Sequence, residues 1–371
     1  MLFKDVSGQL QVKQMLQHLV LSDRIPHALL LSATAGNGSV ALAHAFVQFL
    51  FCQNRSETDA CGVCSACSKN NKLIHPDVHF SFPAVGAKVI SSQFLKEWRT
   101  FFSENIYAPY NLWLESIKAE NKQGNITAAE CSDIHTKLNM RAFEGGYKCL
   151  IMWLPEYLGK EGNRLLKLLE EPPEKTIFIL VTENEENILQ TILSRCQRIR
   201  IPPLNDTDLL DALLKSGIPV NEARLAVQLA EGNFNTAMQL AENKTETHVT
   251  FFLEWMRNNW LGDGLKTMSW IEKISPLGRE WHKRFITYAL HFFHQLLRLH
   301  YVGENGIQLQ AEELKTAIGM VKVISPEHID TIAELLNKMY IAVERNGQPK
   351  IIFLDASIQI HKIIKEKSGV N

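Results

Sequence analysis

The chain has no long apolar run and no excess of charge of one sign. Among its 371 residues, 39 Lys and Arg are balanced by 40 Asp and Glu, so the formal net charge is −1. No window of 18 or more apolar residues occurs, and the first residues lack the basic and apolar regions of a secretory signal. This balance excludes a global attraction to nucleic acid, so any DNA contact would need a local basic patch. We therefore expect a cytoplasmic protein with no membrane partner.

Cysteine is scarce, with seven residues, and its distribution is uneven. An odd total with one tight cluster does not suggest a disulfide framework. The cluster has the spacing C-x8-C-x2-C-x2-C and consists of Cys52, Cys61, Cys64 and Cys67. Each CxxC turn lets two thiolates reach one tetrahedral ion, and a further cysteine closes the shell. The spacing predicts a structural Zn²⁺ module over residues 52–67, with an iron–sulfur cluster or unmetallated thiols as alternatives.

Strands alternate with helices over the first two hundred residues. Continuous apolar runs such as YKCLIMWL and TIFILV indicate strands that are buried on both faces. This alternation predicts an α/β domain with a parallel sheet over residues 1–203. After residue 203 only helical periodicity remains, and we expect a three-helix lid over 204–244 and an all-α domain over 245–371.

The stretch LLLSATAGNGSVALA has the strand–loop–helix frame of a phosphate-binding loop. Gly36 and Gly38 permit the tight turn of such a loop. Ala33, Ser39 and Val40, however, stand where the first glycine, the lysine and the magnesium-binding hydroxyl belong. Without the cation and the metal ligand, phosphoryl transfer would lack most of its electrostatic stabilisation. We expect no ATP to be bound or hydrolysed here, and a strand–turn–helix that never bound a ligand is the alternative.

Acidic residues that could assist hydrolysis are also sparse. The apolar run LIMWLPEYL is followed by a single acid, Glu156, directly after Pro155, and we interpret it as solvated rather than catalytic. The pair Glu170–Glu171 comes before a double proline, and we interpret it as a capping or interface feature.

The segment from about residue 88 to residue 124 is rich in aromatic residues. A buried packing appendage and a partner-binding surface both agree with that composition. The helix after it is expected to begin at Thr127, with Glu130 completing a capping box.

The run LEEPPEKTIFILVTENEENILQTILSRCQRIRI, together with FKDVSGQ, RIPHALLL, HPDVH and the inserted cysteines, closely resembles the bacterial DNA polymerase III clamp-loader subunits. The resemblance is dense over Phe3–His79 and Thr127–Leu204. It is weaker in the C-terminal part, where RNGQPKIIFLD is similar to the family's collar domain. Within the family the chain looks like the delta-prime type rather than the ATP-hydrolysing tau/gamma type. The resemblance implies an AAA+ α/β domain, a small helical lid and a C-terminal collar domain in a pentamer.

The resemblance also implies a role for the SRC motif, here Ser194, Arg195 and Cys196. In the family, this arginine reaches the γ-phosphate of ATP held by a neighbouring subunit. A planar, permanently charged guanidinium suits that task in trans. The alternative is that Arg195 merely pairs with a surface carboxylate. The lid has Asn235 and Thr236 where ATP-binding relatives place an arginine.

We therefore expect a catalytically silent subunit of the DNA polymerase III holoenzyme, a DNA-directed DNA polymerase, that helps the ATP-driven loading of a sliding clamp onto primed DNA. The implied partners are the tau/gamma and delta subunits and, through the assembly, the sliding clamp and primer–template DNA. Two other hypotheses stay open. One is an active AAA+ ATPase of the tau/gamma type, and the other is a zinc-dependent nucleic-acid-binding module.

Overall fold

The structure is a computed structural model that describes residues 1–107, 109–119, 122–242, 246–303, 307, 309 and 311–365. The chain divides into two compact units. One comprises Met1–Gly217 with Ala230–Met238, and the other comprises Ile218–Leu229 with Gln239–Asn371. The predicted boundary between residues 244 and 245 lies outside the described residues, and the three-domain division stays a prediction.

The first unit contains the predicted parallel sheet. Its strands in the described chain are β1 (Ala28–Ser32), β2 (Val78–Ser81), β3 (Lys148–Trp153), β4 (Thr176–Thr182) and β5 (Gln197–Arg200). They pair in parallel in the order β2-β3-β4-β1-β5. Every residue of β3 and β4 is buried, which explains the unbroken apolar runs in the sequence. The predicted α/β fold class is confirmed.

Helices pack on both faces of this sheet. The helices described in the first unit are α1 (Leu10–Leu21), α2 (Ser39–Phe51), α3 (Ser65–Asn71), α4 (Leu95–Glu104), α5 (Tyr110–Ser116), α6 (Ala128–Asn139), α7 (Leu166–Glu170), α8 (Gln190–Leu193) and α9 (Asp206–Lys215). Short 3-10 segments lie at Phe3–Asp5, Ser91–Phe94 and Glu185–Asn187, and Pro155–Leu165 contains two helical turns separated by a kink at Gly159. The helix α2 is buried from Ser39 to Leu50, because its small alanines allow close approach to the surrounding core.

The aromatic-rich segment is a packing appendage. Trp98 stacks on Phe82 with ring centroids 4.5 Å apart, and Trp113 meets the same ring edge-on at 4.9 Å. The Trp113 indole N–H donates to the Pro83 carbonyl at 2.7 Å. Both tryptophans are fully buried, so they are part of the core and are not available to a partner.

The helix α6 begins as predicted, but its capping box is only half formed. The Thr127 hydroxyl accepts from the Glu130 N–H at 3.1 Å, as an N-cap should. The Glu130 carboxylate does not return to the cap. It accepts from the Ser91 N–H at 2.6 Å, and it is buried. The reciprocal half of the prediction was wrong, because the aromatic segment supplies a competing donor.

The rest of the described chain is helical, as predicted. Two helices, α10 (Val220–Ala230) and α11 (Phe234–Glu242), carry residues of both units. The second unit continues with α12 (Glu246–Leu261), α13 (Gly264–Ile274), a 3-10 turn (Ser275–Leu277), α14 (Arg279–Val302), α15 (Ala311–Val321), α16 (Pro326–Glu344) and α17 (Pro349–Lys365). Stacked Trp255 and Trp270, with centroids 5.4 Å apart, lie in its core. No helix in the described part of the chain is long and apolar enough to cross a membrane.

Candidate functional site

The loop after β1 has the left-handed turns that the sequence predicts. Gly36 and Gly38 have φ values of 78° and 80°, a region that favours glycine. At the start of the loop, the Ala33 N–H donates to the Thr182 carbonyl at 3.1 Å. Ser39 begins α2 and Val40 follows it, and both are buried. The frame is present, but the lysine and hydroxyl positions offer no ammonium group and no magnesium ligand.

Other side chains of the first unit lie directly on this loop. The Phe234 N–H donates to the Gly36 carbonyl at 3.1 Å, and the Tyr107 ring stacks on the Phe234 ring with centroids 4.0 Å apart. Asn235 and Thr236, which stand at the predicted lid position, also lie here. The Asn235 amide donates to the Tyr107 carbonyl at 3.4 Å, while the Thr236 N–H donates to a neighbouring asparagine side chain.

The position of Glu156 differs from the prediction. Its carboxylate is half-buried and accepts three hydrogen bonds from the carboxyl end of β4. The donors are the Thr182 hydroxyl at 2.9 Å and the N–H groups of Glu183 and Asn184 at 3.0 and 3.2 Å. The interpretation as a solvated side chain was therefore wrong, because consecutive residues at the end of β4 present their donors to it. Burial nevertheless raises the pKa of Glu156 above its ordinary value.

A second acid beside it was missed in the sequence. Burial, together with the nearby Glu156 charge, raises the pKa of Glu183 to about 7. Both carboxylates line a polar cavity of about 720 Å³ together with the side chains of Asn125, Tyr157 and Asn187. The available signal was the position of Glu183 directly after a fully buried parallel strand, where polar residues of such sheets collect.

The SRC segment lies between α8 and β5. Arg195 is half-buried and forms an ion pair with Glu170, at the end of α7. Its guanidinium also donates to the Thr191 carbonyl at 2.7 Å and to the Ser194 hydroxyl at 3.3 Å. Ser194 is exposed. Burial raises the pKa of the Cys196 thiol to about 11, so this cysteine stays a neutral thiol near pH 7.

The loop and the arginine are not brought together. The loop follows the carboxyl end of β1, whereas Arg195 precedes the amino end of β5, the neighbour of β1 in the sheet. Because these strands are parallel, the two features lie at opposite ends of the strands: the loop at the carboxyl-end edge of the sheet and Arg195 at the amino-end edge. A strand of five residues separates those edges by about 16 Å.

The four cysteines, by contrast, are brought together. Their sulfur atoms all lie within 4.8 Å of one another, and those of Cys61 and Cys67 are 3.9 Å apart. Cys52 is the C-cap of α2, and Cys64 is the N-cap of α3.

The electrostatics of the cluster also fit a cation. The Cys61 sulfur accepts from the Cys64 N–H at 3.3 Å, and backbone donors at Val63 and Cys64 lower the pKa of Cys61 to about 6. Burial raises the pKa of Cys52 and Cys67. The pKa of Cys64 is lowered as well, and a cation would favour ionisation of the buried thiols Cys52 and Cys67. The cluster could hold a metal ion.

Comparison with known proteins identifies the family. The model described as DNA polymerase III, delta subunit, matches residues 8–205, which is more than half of the chain. The chain belongs to this family of DNA polymerase III clamp-loader subunits. The family match covers the sheet, the loop after β1, the cysteine cluster and the SRC segment. The family resemblance seen in the sequence is confirmed.

Individual relatives include both the gamma and the delta-prime kinds. The chain is 27% identical over 315 residues to DNA polymerase III subunit gamma of Buchnera aphidicola, covering 79% of this chain and 77% of that one. It is 26% identical to subunit delta' of Bacillus subtilis, covering 63% and 60%. With subunit delta' of Yersinia pestis it shares 31% identity over 46% and 40% of the two chains. The matches thus span less than two thirds of either delta' relative. The identities are too close to separate the two kinds of clamp-loader subunit.

Proposed function

We propose that this clamp-loader subunit is of the delta-prime type. It does not hydrolyse ATP, and it supplies Arg195 in trans to ATP bound by a neighbouring subunit during the loading of a sliding clamp onto primed DNA. The observation that carries the proposal is the separation of the SRC arginine from the chain's own loop, since the two lie at opposite edges of the sheet. An arginine there cannot reach a phosphate held by the chain's own loop, so any ATP it contacts would have to be bound by another subunit.

The composition and burial of the loop support the non-hydrolysing part. Ser39 and Val40 replace the two side chains that would contact phosphate and Mg²⁺, and both are less than a tenth exposed. Nucleotide hydrolysis depends almost entirely on positioning and on charge stabilisation. A loop without a cation and without a metal ligand provides neither.

The surroundings of Arg195 support the trans role. Its side chain is 32% exposed, and its partner Glu170 is 47% exposed. In the single chain, Arg195 does pair with a surface carboxylate, that of Glu170, as the alternative interpretation of the SRC motif expects. Such exposed pairs contribute little free energy, about 0–1 kcal/mol, so a phosphate dianion on a neighbour can displace the carboxylate. The Thr191 carbonyl meanwhile holds the guanidinium near the surface.

For the cysteine cluster we propose a structural Zn²⁺. Four thiolates about 2.3 Å from a tetrahedral zinc lie about 3.8 Å from each other, close to the 3.9 Å between Cys61 and Cys67. With four cysteines no coordination position stays open for a substrate, so the ion would join α2 to α3 and would not act on ATP.

An ATP-hydrolysing subunit of the tau/gamma type is the second candidate. It stays open because the gamma subunit of Buchnera aphidicola and a delta' subunit of Escherichia coli each match over more than three quarters of both chains. Calorimetric titration of the isolated chain with Mg·ATP separates the two candidates. Binding at micromolar concentrations would favour the tau/gamma type, and the delta-prime type predicts none.

The decisive experiment is reconstitution with an ATP-hydrolysing clamp-loader subunit, comparing wild type with Arg195→Ala. We expect the assembly to form, and clamp-stimulated turnover at the one interface that Arg195 serves to fall about 10³-fold, as for other trans arginines. The matched control is Arg198→Ala, an exposed arginine of β5 that pairs with Glu185 at 3.6 Å. Unchanged turnover in an Arg195→Ala assembly of normal size would contradict the trans role.

A further inference from the structure

Tyr107 of the aromatic-rich segment contacts the loop after β1, residues 33–40, which we call the phosphate-type loop. A methyl group placed on Gly38 would lie 3.2 Å from the Tyr107 Cε1 atom. Gly38 is the N-cap of α2, and its φ of 80° turns the chain into the helix. The N-terminus of such a helix is where a phosphate group would meet free backbone N–H groups. Tyr107, only 7% exposed, covers this position.

Residues 233–235 complete the cover from the other side. The Phe234 N–H is bonded to the Gly36 carbonyl, and its ring lies against Tyr107 at an interplanar angle of 21°. A methyl group on Gly36 would overlap the Asn233 side chain. The same Asn233 oxygen accepts from the Thr236 N–H at 3.1 Å, so the loop also contacts the cap of the first turn of α11.

Tyr107 is attached to a well-anchored element. The segment before it is tied to α6 by the Thr127 hydroxyl, which donates to the Val89 carbonyl at 2.8 Å, and by the buried Glu130 carboxylate. Trp98 and Trp113 fix its middle in the core. Because these contacts are all made within the chain, the position of the Tyr107 ring follows from the packing of the segment and needs no ligand.

We propose that Tyr107 is an internal plug of the phosphate-type loop, and that its stack on Phe234 replaces a nucleotide as the group that holds residues 233–237 against the loop. In nucleotide-switched proteins, a bound phosphate orders a segment that contacts it, and loss of the phosphate releases that segment. Here the link is made of the chain's own side chains, so the segment keeps one position whatever the nucleotide concentration. The proposal rests on the non-hydrolysing part of the proposed function and is independent of the role of Arg195.

Amide hydrogen exchange of the full chain, read by mass spectrometry, tests the plug. In Tyr107→Ala, we expect the peptide containing Phe234, Thr236 and Ala237 to exchange roughly tenfold faster, while β3 and β4 keep their protection. Tyr107→Phe should exchange like wild type, because the stack is retained. The matched control is Tyr110→Ala, which removes a ring of the same segment that packs on Tyr157 with centroids 4.9 Å apart.

Unchanged exchange at residues 233–237 in Tyr107→Ala would overturn the proposal. So would equal acceleration in the Tyr110→Ala control. If Tyr107→Ala loses protection throughout β3 and β4, the decision passes to Tyr107→Leu, which keeps apolar volume but has no ring to stack. Faster amide exchange confined to residues 233–237 in Tyr107→Leu supports the plug, and exchange equal to that of the wild type overturns it. Added Mg·ATP at millimolar concentration should leave wild-type exchange unchanged, and increased protection of the loop would also overturn it.

Discussion

The loop after β1 and the SRC segment lie at opposite edges of one sheet, and their surroundings differ in burial and in charge. Residues 36–40 of the loop are buried, with Tyr107 and Phe234 on top of them. At the other edge Ser194 is exposed, and Arg195 keeps about a third of its side chain accessible. A cleft without a ligand gains packing free energy when the chain's own rings fill it. The proposed action of Arg195 on another subunit requires its side chain to stay at the surface.

Removal of the proposed Zn²⁺ should have the largest effect, because the cysteine cluster adjoins the helix that begins at the loop. Cys52 ends the helix that begins at the loop, so the cluster anchors the far end of α2. Loss of several kcal/mol of metal-coupled folding free energy predicts a fall in Tm of roughly 10 °C with a strong chelator or in Cys64→Ser. Calorimetric scans with parallel metal analysis measure it.

The matched control is a cysteine of the SRC segment, at the other end of the sheet. Cys196→Ser removes a half-buried thiol outside the cluster and should cost less than about 1 kcal/mol. An equal fall in Tm for the two serine variants, or a protein purified without bound metal and insensitive to chelators, would contradict the metal prediction.

Substitution of Gly36 should have the next largest effect, and it measures how tightly the loop is covered. Gly36→Ala places a methyl group against Asn233 at a φ of 78°. We expect the free energy of unfolding to fall by about 2–4 kcal/mol, from the positive φ together with overpacking. Gly217→Ala is the control, since Gly217 has a φ of 86° but no atom within 4 Å of the added methyl group. Urea unfolding of both variants separates the cost of the positive φ from the cost of overpacking. Equal losses of unfolding free energy in the two variants would mean that the loop is not covered.

The acid beside the loop offers a smaller, pH-dependent effect. The folded-state pKa of Glu183 is raised to about 7, so the folded chain binds this proton more tightly than the unfolded chain does. Stability from this group is therefore present at low pH and is lost as pH rises through about 7. Glu183→Gln, which resembles the protonated acid, should stabilise the protein by about 2 kcal/mol more at pH 8 than at pH 5.

Urea unfolding at the two pH values checks this prediction. The exposed Glu186 provides the control, because Glu186→Gln removes the same charge from a solvated position nearby. A stabilisation by Glu183→Gln that is the same at both pH values would show that Glu183 is ionised in the folded chain at pH 5.

Much of the fold could be predicted because its signals are local. Parallel strands buried on both faces appear as short apolar runs, and the structure places β1, β3 and β4 in those runs. Thr127 marks the start of α6 because a cap bonds to an N–H only three residues away. The cysteine cluster was foreseeable for the same reason, since three of its members lie within seven residues.

Contacts between distant segments could not be predicted. The Glu130 carboxylate accepts its hydrogen bond from the N–H of Ser91, 39 residues away, and not from the N–H of the cap residue Thr127. Glu156 takes its hydrogen bonds from the end of β4, and its neighbour Glu183 was missed altogether. In each case a donor or charge from a distant segment competes with the local partner, and only the folded chain decides which interaction forms.

The sequence by itself determined the strand–loop–helix frame, the missing lysine, the cysteine spacing and the SRC arginine, because these are statements about which residues stand where. The tertiary structure decided what surrounds them. The order of strands separates Arg195 from the loop, and a contact between Tyr107 and Phe234, far apart in the chain, closes the loop. The physical reason is that burial and distance depend on how segments pack, and packing joins residues that no local pattern connects.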